Sequence, residues 1–178
     1  MPNITVLSVA IIFSCLGLQI PGSLALKDFE RCDVGKGIIT TNLKNLEYNC
    51  PKKNEVFRIK WFHRQFYPYF EATYKNYIIK VDNEKDNVRI ILNDRICDFH
   101  GNSKAILNNI HYTELEVAMK NSGEFMFIAH GSAGFSLNCE TNQHFVSKEV
   151  QLKMGISNAN YHFHYDCPFR DSQAQGPE

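Results

Sequence analysis

Phe57-Arg58-Ile59-Lys60-Trp61 is the stretch that decides the fold. Apolar side chains at 57, 59 and 61 alternate with basic ones at 58 and 60, the two-residue period of a strand with one face buried and the other wet. The same period recurs where Val88, Ile90 and Leu92 alternate with Arg89 and Asn93, and where Leu115, Val117 and Met119 alternate with Glu114, Glu116 and Lys120. Tyr77 to Val81, Phe125 to Ala129 and Phe135 to Cys139 are further strand candidates. Turn-rich breaks fall at Asp82-Asn83, Asp98 to Ser103, Asn121-Ser122-Gly123 and Gly131 to Gly134. No segment sustains a helical period. The chain therefore predicts an all-β fold, an antiparallel two-sheet β-sandwich of about eight to ten short strands, since each strand must bury its apolar face against a second sheet.

Towards the C-terminus the alternation continues. Val150, Leu152 and Met154 are followed by the turn residues Gly155 to Asn160, then by Tyr161, Phe163, Tyr165 and Cys167 alternating with His162, His164 and Asp166. This predicts a C-terminal β-hairpin over 141–167 added to a sandwich over 26–140. Pro168 onward, ending DSQAQGPE, has the polar composition of a flexible tail over 168–178.

Towards the N-terminus the chain changes character. Residues 1–25 carry none of the 38 charged side chains, and Ile4 to Leu18 is almost continuously apolar. Ser23 and Ala25 supply the small residues of a secretory cleavage site, so 1–25 reads as a signal peptide and the mature chain as starting near Leu26. The competing membrane anchor is disfavoured because the run is shorter than the about 20 residues that cross a bilayer. The expectation is a secreted, extracellular protein. Its 19 basic residues balance 19 acidic ones, which leaves no chain-wide charge for nucleic acid or for an anionic membrane surface.

Of the six cysteines, Cys15 leaves with the signal. Cys32, Cys50, Cys97, Cys139 and Cys167 remain for an oxidising compartment. An odd set implies a free thiol or an intermolecular bridge, hence a possible disulfide-linked dimer. By alternation Cys139 shares the face of Phe135 and Leu137, and Cys167 that of Phe163 and Tyr165. Cys139–Cys167 would leave Cys97 free, and Cys97–Cys139 would leave Cys167 free; the pattern does not choose between them.

Cys32, the run Gly35 to Thr40, Cys50, the strand Phe57 to Phe62, Tyr74 to Asp82, Arg95-Ile96-Cys97, Leu115 to Met119 and Gly134-Phe135-Ser136-Leu137 follow one another in an order that resembles a CUB domain, over roughly Cys32 to Cys139. The resemblance implies an extracellular two-sheet sandwich for protein or glycan recognition, and a Cys32–Cys50 bridge. The family's third cysteine is missing, for Ala72 and Thr73 stand before Tyr74. Its calcium-binding acids are missing too, replaced by Lys75 or Asn76 and by Asn121 or Ser122, so no family-type calcium site is expected.

Sharper chemistry finds little support in the pattern. His162 and His164, with Cys167 and His144, offer zinc-ligand types, but a pair spaced by two on an outward strand face reads as surface, and no metal or cofactor is expected. His130-Gly131-Ser132-Ala133-Gly134 lacks the strand-serine-helix elbow of a hydrolase, so no catalytic residue is assigned. The segment Phe62 to Tyr74 packs six aromatic residues and Arg64 into thirteen positions. Arg64, Tyr67, Tyr69 and Phe70 are its candidate protein-recognition patch, because such side chains bury large areas with few rotors. The only N-x-[ST] triplet, Asn3-Ile4-Thr5, lies within the signal. The expected function is that of a secreted, non-enzymatic binding protein for an extracellular protein or glycan, with a secreted hydrolase-like protein or a small-ligand carrier as the alternatives.

Overall fold

The computed structural model describes residues 31–64, 67–102, 107, 112–130, 134–145 and 149–169. The signal segment and Ser132 lie outside them. Twelve strands follow one another: β1 Asp33–Lys36, β2 Ile38–Asn42, β3 Glu55–His63, β4 Pro68–Tyr74, β5 Tyr77–Glu84, β6 Asn87–Leu92, β7 Arg95–His100, β8 Thr113–Lys120, β9 Glu124–Ala129, β10 Phe135–Glu140, β11 Gln151–Ile156 and β12 His162–Tyr165. They form two six-stranded sheets, β1-β12-β3-β8-β9-β10 (sheet I) and β2-β11-β4-β5-β6-β7 (sheet II). Every pairing within them is antiparallel. The predicted sandwich is therefore the fold, and among the described residues the one helical element is the short 3-10 turn Leu43–Asn45.

The two-residue period explains the core. Phe57, Ile59 and Trp61 of β3 meet Phe70 of β4 and Phe125 and Phe127 of β9 between the sheets, all of them buried. Trp61 stacks on Phe70 at 5.8 Å and Phe70 on Phe125 at 5.9 Å, while Phe57 tilts against Phe70 at 6.1 Å. Such ring pairs add about 0.5–1.5 kcal/mol each beyond their area. A small apolar cavity of about 10 Å³, lined by residues that include Tyr74, Tyr77 and Phe145, has room for a single water and none for a carried ligand.

The last third of the chain departs from the expected hairpin. β11 and β12 form where the alternation places them, yet they do not pair with each other. β11 lies between β2 and β4 in sheet II, and β12 lies between β1 and β3 in sheet I. The physical reason is that both strands are apolar on the face turned to the core, with Leu152, Met154, Ile156 and Phe163 buried, and each satisfies that face only as an interior strand. The N-terminal strands mirror this arrangement, β1 joining sheet I and β2 sheet II. Gly37 and Gly155 sit at the two switches, both with positive φ. A Cβ on Gly155 would come within 2.1 Å of the Gly37 carbonyl oxygen, so only glycine lets the two crossovers touch.

Two turns also differ. β5 runs through Asp82-Asn83 and turns at Lys85-Asp86, and β7 continues to His100. The Asx pairs that read as breaks are tolerated in strands because their side chains are engaged: Asp82 accepts from Arg89, and Asp98 from the Asn138 amide. Pro168 and Phe169, expected in the tail, are placed, with Phe169 lying 5.1 Å from the Lys60 ammonium.

The sulfur pairing corrects the expectations. Cys32, which the resemblance implied would bridge Cys50, is joined to Cys167, and Cys139 is joined to Cys97. Of the two pairings that the pattern left open, Cys97–Cys139 is the one found and Cys139–Cys167 is not, and Cys167 is not left over because it takes Cys32. Cys50 is disulfide-bonded as well, so none of the described cysteines is a free thiol. The reason is again topological: β1 and β12 are neighbours, which brings the cysteines before and after them together, while β7 and β10 are the facing edge strands of the two sheets. Such bridges belong to an oxidising compartment. No helix among the described residues is long and apolar enough to cross a membrane.

Candidate functional site

The strand ends on one side of the sandwich collect its exposed aromatic surface. At this end β1 passes into β2, β3 into β4 and β11 into β12, each changing sheet. Backbone bonds tie the crossovers together: Gly37 N–H donates to the Tyr161 carbonyl, Ile156 N–H to that of Gly37, and Ser157 N–H to that of Tyr67. Val34 (61 % exposed), Ile38 (43 %), Tyr67 (39 %), Tyr112 (38 %) and Tyr161 (42 %) all belong to this end, five of the eight large apolar side chains left open among the described residues. An apolar cluster of this kind at a rim is what a partner covers.

On the outer face of sheet I the register continues the site. His162 lies opposite Lys36 and His164 opposite Val34 and Phe62. Extending β3 and β8 one step beyond the His63–Thr113 pair puts Arg64 beside Tyr112. The side chains agree, with the Arg64 guanidinium 5.2 Å over the Tyr112 ring and the Tyr112 ring edge-on to His164 at 5.2 Å. Arg64 is thereby held over an aromatic face rather than left to wander, which lowers the ordering cost of using it in recognition. Burial, and then the neighbouring His162, hold the His164 imidazole below its usual pKa.

Deeper on the same face lies a charged cluster. Arg58 forms a fork with Glu55, at 2.9 Å from Nε and 2.6 Å from a terminal nitrogen, and also pairs with Glu116. Glu116 in turn meets His130 Nε2 at 2.8 Å, and Lys60 Nζ stands 3.8 Å from Glu114. Burial works to raise the Glu55 pKa, but Arg58 and the Lys52 amide outweigh it, so the carboxyl is held below its ordinary value. Glu114, Glu116 and His130 present ligand atoms within 4.8 Å of one another. Two cations, Arg58 and Lys60, already occupy the positions facing those carboxylates, so the cluster is a cross-strand ionic lock. The sequence placed Arg58 and Lys60 outward without showing that they are buried there, at 8 % and 3 % exposure.

The four residues chosen from the sequence part company. Arg64 and Tyr67 are exposed and belong to the crossover end. Tyr69 lies on the outer face of sheet II, half-buried, and donates to Glu71 at 2.7 Å; burial and that bond raise its pKa. Phe70 is wholly buried between the sheets and contributes to the core rather than to a surface. One residue of strand separates in from out, so a contiguous aromatic run cannot be one patch. Tyr112, Tyr161 and Ile38 were missed because they come from three distant segments; Tyr161 carried the one legible signal, an aromatic residue directly after a turn. His144, one of the zinc-type residues, bonds the Asn121 carbonyl at 2.8 Å, away from His162 and His164.

No family model matches the chain, and no curated protein matches it. Among solved structures, the chain is similar to the crystal structure of the LG1-3 region of the laminin alpha2 chain, with 8% sequence identity and a TM-score of 0.46, over 82% of this chain and 33% of that one. It thus spans about a third of the length of that structure.

Proposed function

We propose that this chain is a secreted, non-enzymatic binding protein that recognises an extracellular protein through the crossover end of its sandwich. The observation that carries the reading is the gathering of Val34, Ile38, Tyr67, Tyr112 and Tyr161 at that one end, beside an Arg64 already stacked on tyrosine. Tyrosine and arginine supply most of the energy at protein interfaces because they bury area and keep a polar tip. The disulfides, the apolar leader of the sequence and the CUB-like order of motifs support an extracellular setting. The filled core weighs against a carrier, and the engagement of Glu116 by Arg58 and His130 on the outer face of sheet I weighs against hydrolysis.

The test is a triple substitution, Tyr67→Ala with Tyr112→Ala and Tyr161→Ala, in the secreted full chain, assayed for binding to an extracellular-matrix preparation. The reading expects at least about a tenfold loss of binding with an unchanged melting temperature. Binding at the original level by the folded triple variant would overturn it.

A further inference from the structure

The crossover end carries a basic row whose spacing specifies what the partner must bring. On four adjacent strands of sheet I, Lys36, His162, Arg64 and Tyr112 line up on the outer face: Lys36 is paired with His162, Arg64 stands one step past the end of β3, and Tyr112 lies under its guanidinium. Neighbouring strands are about 4.8 Å apart, so the three basic groups span about 10 Å. Lys36, Arg64 and His162 are exposed and His164 half-buried, one step inward from His162. Among the described residues, the acidic side chains near the row have partners of their own. Glu114 faces Lys60, and Glu116 faces Arg58 and His130. Asp33, at the far end of β1, is paired with Tyr165.

From this complementarity we infer that the partner presents an acidic segment, two carboxylate side chains at alternate positions of an extended stretch of chain, to Lys36, His162 and Arg64, with an aromatic or apolar side chain against Tyr112. The inference rests on the protein-recognition reading above and adds the partner's chemistry. Carboxylates at alternate positions of an extended chain recur about every 6.6–6.8 Å, so two of them fit within the row.

The probe is a fluorescein-labelled decapeptide of alternating Glu and Tyr, compared by anisotropy with its Gln-Tyr counterpart and with a sulfated polysaccharide, heparin. The acidic peptide is expected to bind the full chain about tenfold more tightly than the Gln peptide, with affinity falling as salt rises. Arg64→Gln with His162→Gln should abolish that preference. Equal binding of the two peptides would overturn the inference; if Tyr112→Ala with Tyr161→Ala then abolished that binding, the recognition surface would stand without its acid preference. Binding of heparin alone, or of none of the three, would also overturn it.

Discussion

At the scale of single residues, adjacent positions can have opposite roles. Tyr67 and Phe70 are three apart, yet one is open to solvent and the other stacks between Trp61 and Phe125. Phe70→Ala should cost about 3–5 kcal/mol of stability, read as a lower urea midpoint, whereas Tyr67→Ala should cost less than about 0.5 kcal/mol. A small effect at Phe70 would mean that its ring is not in the core. His63 offers a second residue-scale prediction. Burial pulls its imidazole down to about 3, so the folded chain keeps it neutral. The unfolded chain takes up the proton below about pH 6.5, so this contribution to stability is intact above that pH and shrinks as pH falls towards 3. Between pH 7.5 and 5.5 it should fall by about 1.4 kcal/mol, and His63→Gln should flatten that slope in urea titrations. An unchanged slope in the variant would rule His63 out as its source.

At the scale of elements, the strands were legible and their partners were not. Phe57 to Trp61, Val88 to Leu92, Leu115 to Met119 and Phe125 to Ala129 all announce themselves by alternation, because a half-buried strand has no other way to arrange its side chains. Alternation is blind to which strand lies alongside. Met154 and Phe163 read as two faces of one hairpin, when each belongs to a different sheet. The cysteines share that blindness, since Cys32 and Cys167 meet only once β1 and β12 are known to be neighbours. Two consequences can be measured. Non-reducing peptide mapping should recover Cys97 linked to Cys139 and Cys32 linked to Cys167; a Cys139–Cys167 peptide would contradict the strand order. Truncation after Glu140 should leave a chain without cooperative unfolding, because it removes an interior strand from each sheet. An appended hairpin would instead have come away from a folded remainder.

At the scale of the molecule, the sandwich sorts its surface. Much of the outer face of sheet I is locked by Arg58, Glu55, Glu116, Lys60 and His130. Ile78 and Ile96 are exposed at the opposite end of sheet II, and Phe99 on its far edge strand. Among the described residues, the crossover end alone joins exposed tyrosines to basic side chains. Half of this site, Arg64 and Tyr67, could be read from an aromatic-rich segment; the other half arises only when three chain crossovers meet, which no local pattern encodes. The claim that this end is the binding face is tested most directly by hydroxyl-radical footprinting of the secreted protein, alone and bound to an extracellular-matrix preparation. Bound protein should show labelling of Tyr67, Tyr112 and Tyr161 reduced severalfold while Ile78 and Ile96 are labelled as before. Protection of Ile78 and Ile96 with the three tyrosines still open would contradict it.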